Sequence, residues 1–147
     1  MTPDRIDRDT IGRRLRLMQE ALATLRDSSS STTGHLAFDP IARAATERLV
    51  QVIVDLALDI NGHLVVALLG RAPETGRRSF LDMAEAGVLT DELVSRLAPA
   101  AGLRNVLVHQ YVDIDARKVA DAVPQLLADM PEYVTAVARF ATQTNRG

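Results

Sequence analysis

The chain has no cysteine and no tryptophan, and its aromatic residues are two tyrosines and three phenylalanines. Without cysteine there can be no disulfide, no zinc–thiolate site and no thiol nucleophile. That fits a reducing cytoplasm, where the protein is expected to work. With aromatics at 3%, the core must be built from Leu, Val, Ile and Ala. An excess of positive charge is also missing: 17 Lys and Arg face 19 Asp and Glu, for a net charge of −2. A protein that coats nucleic acid would be basic, so any RNA here must be met by a local cationic cleft. The opening "MTPDRIDRDT" is polar and acid-containing, unlike a signal peptide. No apolar run reads as long enough to span a membrane, so no membrane partner is expected. Strand-type alternation and repeats of about 20–50 residues are absent too.

What is present is helical. The 147 residues, 47% of them hydrophobic, suffice for a single domain over 1–147 with one core. Ile11, Leu15, Met18, Leu22 and Leu25 recur at helical spacing and predict a first helix over 4–27, with Arg13, Arg14 and Arg16 on its solvated faces. "DSSSSTTGH" predicts a flexible loop over about 27–37, since small hydroxyl residues and Gly compete with helical backbone bonding. A second helix is expected from Pro40, suited to a first helical position, to Leu69. Its apolar face is broad enough to meet several neighbours. Gly70 and Pro73 stop it. Ser79 and Asp82 suggest a loose capping box for a short third helix ending at Gly87. Thr90 caps a fourth, with Asp91 and Glu92 favoured in its first turn and a weak point at Pro99 and Gly102. After a turn at "VDID", Asp115 caps a last helix to about Phe140, followed by a tail over 141–147. Pro124 and Pro131 kink that helix, or Asp129 caps a separate final piece. The expected fold is an all-α bundle of about five helices, the first two antiparallel.

The chemistry-bearing stretch is "LRNVLVHQYVD", residues 103–113. Arg104 and His109 lie about 140° apart on an ideal helix, at about 100° per residue, so they do not share a face. They can border one groove if the helix end frays or if a second subunit closes it. Arg104 and Tyr111 fall nearly on one face. Arg is a permanent cation whose planar fork matches phosphate oxygens, and His exchanges a proton near neutrality. Together they suit metal-free cleavage of RNA by its own 2′-hydroxyl. His109 would handle the nucleophile's or leaving group's proton, and Arg104 would stabilise charge on the phosphoryl oxygens. Asn105 would hold phosphate or orient the histidine. On spacing alone, the commoner reading of such a pair is a surface ion-pair member plus a packed histidine.

"RNVLVHQY" resembles the R-x4-H-x-Y signature of the HepT-like toxins of the HEPN superfamily. The likeness extends to "FDPIARAATERLVQVIVDLALDINGHL", with its Glu47-Arg48 pair and its Asp59-Ile60…His63 ending, and to "SFLDMAEAGVLTDELVSRLAPAAGLRNVLVHQYVDID". It covers roughly residues 5–140. It implies a helical homodimer whose Arg and His from both subunits line one interface cleft, an endoribonuclease needing neither metal nor cofactor, and the toxin half of a type VII toxin–antitoxin pair. It also implies a partner, an MntA-like minimal nucleotidyltransferase antitoxin that transfers AMP to the signature tyrosine, here Tyr111. Gln110 stands where Glu is frequent. The alternative is a non-catalytic helical subunit that binds a nucleotidyltransferase.

Outside that motif, Asp59 and His63 share a face, but further metal ligands are not evident, and His63 is expected to be hydrogen-bonded in the bundle. Arg71, Arg77 and Arg78 form either a phosphate-binding rim or a solvated loop. His35 is expected in solvent, and Tyr133 reads as packing.

Overall fold

The structure is a computed structural model that describes residues 6–32, 39–109 and 116–143. Among these residues there are six helices and no strand: α1 (Arg8–Thr32), α2 (Pro40–Leu69), α3 (Gly76–Glu85), α4 (Asp91–Leu97), α5 (Ala100–His109) and α6 (Ala116–Gln143). The chain is thus all-α, as expected.

Several helix ends have a chemical cause. Asp7 opens α1: its carboxylate accepts from the Thr10 backbone N–H at 3.0 Å and from the Thr10 hydroxyl. Those bonds hold the carboxyl below its ordinary pKa. Asp39 caps α2 through the N–H groups of Ile41 and Ala42, and Pro40 costs nothing at a position whose N–H has no helical partner. Gly70 closes α2 in the left-handed conformation, φ 73°, donating to the Val66 carbonyl, a geometry that favours glycine. Gly87 does the same after α3, at φ 81°.

Four expectations are corrected. First, α1 continues through Thr32, so residues 27–32 are helix rather than loop. Thr24 and Ser28 donate their hydroxyls to the Glu20 and Thr24 carbonyls four residues back, which lets such residues sit inside a helix. Residues 33–37, with His35, lie outside the described residues. Second, the cap of α3 is Thr75, which accepts from Arg78 N–H at 3.0 Å, and not Ser79. Asp82 is buried instead, held by Arg71 at 3.1 Å and Arg78 at 3.2 Å. Third, the fourth predicted helix is two. α4 ends at Leu97 and α5 starts at Ala100, with Pro99 between them because it can donate no helical hydrogen bond. Fourth, α6 runs unbroken past Pro124 and Pro131 to Gln143, into the expected tail. An interior proline costs about 3 kcal/mol. The buried row Val119, Val123, Leu126, Met130, Tyr133 and Val137 offsets it. Asp129 caps nothing: it is buried, with Arg96 at 2.6 Å and the Gln125 side chain as partners.

The central element is α2, which packs against α1, α3, α5 and α6. By length and composition it is apolar enough to cross a membrane, contrary to the reading of the sequence. Asp55, Asp59 and Asn61 interrupt the run yet leave its average apolar. In the bundle Val50, Ile53, Val54, Ala57, Ile60 and Leu64 are fully covered. The His63 Nε2 atom accepts from the Asp7 N–H at 3.0 Å. The start of α1 therefore meets the end of α2, and the two are antiparallel as expected.

A polar chain crosses this core. The buried Tyr133 hydroxyl donates toward Asn61 Oδ1 at 2.7 Å and the Ala57 carbonyl at 3.1 Å. Asn61 Nδ2 donates to Ser79 Oγ, which donates to the Gly76 carbonyl. Burial pushes the Tyr133 phenol well above its ordinary pKa, so it stays a donor. Its ring also meets Phe80 edge-on at 6.2 Å. Tyr133→Phe strips Asn61 Oδ1 of that donor. The expected cost is about 1–3 kcal/mol, at about 2–4 °C of melting temperature per kcal/mol for a chain of this size. Thermal denaturation followed by circular dichroism checks it, and an unchanged midpoint refutes it.

Candidate functional site

The site is best built outward from α5. This helix is short and lies across α2, α3 and α6, with Ala100, Ala101 and Leu107 buried and Gly102, Arg104 and Asn105 exposed. Arg104 therefore leaves the helix on its open side. Its Nε lies 2.7 Å from Asp55 Oδ1 of α2, with both side chains half exposed. A pair so open to water contributes only about 0–1 kcal/mol to stability. Its value is positional: the carboxylate engages Nε and turns the guanidinium into the groove between α2 and α5, where a phosphate can compete for it.

Two cavities flank that guanidinium. One, of about 420 Å³, runs between α2 and α3 and is bordered by Asp55, Asp59, Gly62, Thr75, Ser79 and Arg104. The other, of about 410 Å³, runs between α3 and α5 and is bordered by Arg77, Pro99, Gly102, Arg104 and Asn105. Leu58, Thr75, Gly76 and Arg104 belong to both, so the two form one bent trough with Arg104 at the bend.

The structure thus brings together Arg104 and Asn105. His109 is the last residue of the same helix, and Tyr111 lies outside the described residues. Arg71 and Arg78 are spent on Asp82, and Arg71 also on Glu85 at 2.6 Å, which raises the Arg71 pKa. Of those three arginines only Arg77 borders the trough. Asp59 lines the trough, while His63 is turned to the α1 start. Among the described residues no three His, Asp or Glu side chains gather as metal ligands. Reading the sequence missed Asp55 as the partner of Arg104. The available signal was the polar stripe of Asp55, Asp59 and Gly62 along an otherwise apolar helix, at spacings of four and three.

Comparison with known proteins gives the family and the fold. The family model described as ribonuclease HepT-like matches residues 18–137. The chain is 40% identical over 95 residues to the tRNA nuclease HepT of Aphanizomenon flos-aquae, a match covering 65% of each protein. It is 26% identical over 91 residues to the mRNA nuclease HepT of Shewanella oneidensis, covering 62% of this chain and 65% of that one. The chain thus spans slightly under two thirds of these curated relatives. Among solved structures, the tri-AMPylated HEPN toxin of Shewanella oneidensis in complex with its MNT antitoxin superposes with a TM-score of 0.79. That match has 20% identity over 89% of this chain and 98% of the other, and the likeness is one of fold.

Proposed function

Because this chain belongs to the ribonuclease HepT-like family, we propose that it is the toxin of a toxin–antitoxin pair, a metal-independent endoribonuclease acting in the cytoplasm. The observation that carries the reading is a guanidinium at the bend of an open trough, on the short helix that ends at His109. The two curated relatives, named as tRNA and mRNA nucleases, support RNA as the substrate class.

In the proposed reaction the ribose 2′-oxygen attacks the adjacent phosphorus, and the bond from phosphorus to the 5′-oxygen breaks. One His109 imidazole takes the 2′-hydroxyl proton, and an imidazolium returns one to the departing 5′-oxygen. Arg104 exchanges its Asp55 partner for the phosphoryl oxygens, whose charge grows as the bond forms. Asn105 holds a phosphate oxygen or orients the imidazole. A homodimer supplies two histidines, one for each proton, and closes the cleft that a single splayed helix leaves open. The products are a 2′,3′-cyclic phosphate and a 5′-hydroxyl. Regulation rests on a minimal nucleotidyltransferase of the MntA type that places AMP on Tyr111. The complex of the Shewanella toxin with its MNT antitoxin supports that kind of partner.

The test is incubation of the purified protein with end-labelled RNA in excess EDTA. Cleavage leaving cyclic-phosphate ends is expected. Tight RNA binding without any cut would favour a non-catalytic subunit, and cleavage abolished by EDTA would refute metal independence.

A further inference from the structure

We propose that Arg77 holds a second backbone phosphate of single-stranded RNA, beside the one at Arg104, so that the strand leaves the cleft between α3 and α5. The inference rests on the ribonuclease reading above and adds to it a direction for the substrate.

The two arms of the trough differ in charge. The arm between α2 and α3 presents the carboxylates of Asp55 and Asp59. The arm between α3 and α5 presents Arg77 and Asn105 and, among the described residues, no carboxylate. A polyanion entering at Arg104 is repelled along the first arm and attracted along the second.

Arg77 is also a cation of the trough that no described carboxylate holds. Arg71 and Arg78 hold buried Asp82, Arg96 holds Asp129 and Glu132, and Arg104 holds Asp55. Arg77 has no carboxylate within ion-pair distance among the described residues. It is exposed in the first turn of α3, so binding phosphate breaks nothing in the fold. Its place is fixed by its neighbour Gly76. A Cβ there would stand 3.2 Å from the Leu58 side chain and 3.3 Å from the Ala101 Cβ, tighter than ordinary van der Waals contact. Glycine lets the start of α3 lie flush on α2 and α5, setting Arg77 across the groove from Arg104 and Asn105.

The test uses a fluorescent, mixed-sequence 2′-O-methyl RNA, which lacks the attacking hydroxyl and so is bound but not cut. Affinity is titrated against salt for the wild type, Arg77→Gln and Arg16→Gln. Arg16 is an exposed cation on α1, away from the trough. Each single-strand phosphate contact contributes about 0.7 to the slope of log K against log salt. Arg77→Gln is expected to lower the slope by about that amount and to weaken binding about fourfold at 0.15 M salt. On cleavable RNA it raises KM by a similar factor and leaves kcat in place. Arg16→Gln changes neither. Wild-type binding with an unaltered Arg77→Gln slope overturns the Arg77 assignment and leaves the ribonuclease reading standing, as does an equal loss in Arg16→Gln. Failure of the wild type to bind or cut RNA brings down both.

Discussion

His109→Ala is expected to lower RNA cleavage on the order of 10²–10⁴-fold, the usual worth of a positioned general acid–base group. Arg104→Ala is expected to lower it on the order of 10²–10³-fold, the usual loss when one transition-state donor is removed. Arg104 is exposed and its pair with Asp55 is open to water, so its removal costs little stability. The Arg104→Ala protein should therefore keep the wild-type circular dichroism spectrum and melting midpoint. The double variant should be scarcely worse than His109→Ala alone, because groups that act as a unit on one transition state lose their effect together. Single-turnover cleavage of labelled RNA measures all three. Full activity in either single variant removes that residue from the reaction.

Tyr111→Phe is expected to abolish AMP addition altogether. In that transfer the phenolic oxygen attacks the α-phosphorus of ATP and pyrophosphate leaves. The phenolic proton passes to a base of the transferase, and phenylalanine has no oxygen to attack with. The chain holds only one other tyrosine. Tyr133 is fully buried, and its hydroxyl is committed to Asn61 and the Ala57 carbonyl, so a tyrosine acceptor can only be Tyr111. AMP on Tyr111 would add bulk and a negative phosphate that can compete with RNA for the motif's arginine. Intact-protein mass spectrometry after incubation with ATP and the cognate nucleotidyltransferase should show the added mass in the wild type and none in Tyr111→Phe. The same gain in the variant would move the acceptor to another residue type. The unmodified variant should also cleave RNA as the wild type does, since the phenol has no part in moving the proton.

How much of this was legible in the chain depends on the range of the interaction involved. α2 was readable from Pro40 to Leu69 because its start and stop signals, Asp39-Pro40 and Gly70, act through local backbone geometry. Thr90 was readable as a cap for the same reason. The serine-rich end of α1 was misjudged because composition does not reveal that Thr24 and Ser28 bond back into their own helix. The continuity of α6 was hidden because two prolines argue locally for a break, while the buried face that holds the helix together is tertiary. At the trough, the motif names Arg104 and Asn105, and both line its arm between α3 and α5. Asp55 was not, because the contact joins residues 49 positions apart. The sorting of Arg71, Arg77 and Arg78 likewise needed the structure, since all three look alike in sequence and only the position of Asp82 separates structural cations from the available one.

The central claim is that two protomers together form the cutting cleft, and light scattering coupled to size exclusion, with each fraction assayed on labelled RNA, tests it most directly. The account predicts a species of about twice the 16.0 kDa chain mass, with cleavage tracking that peak and fading as dilution splits it. Cleavage that travels with the 16.0 kDa protomer and keeps its specific activity on dilution would contradict it.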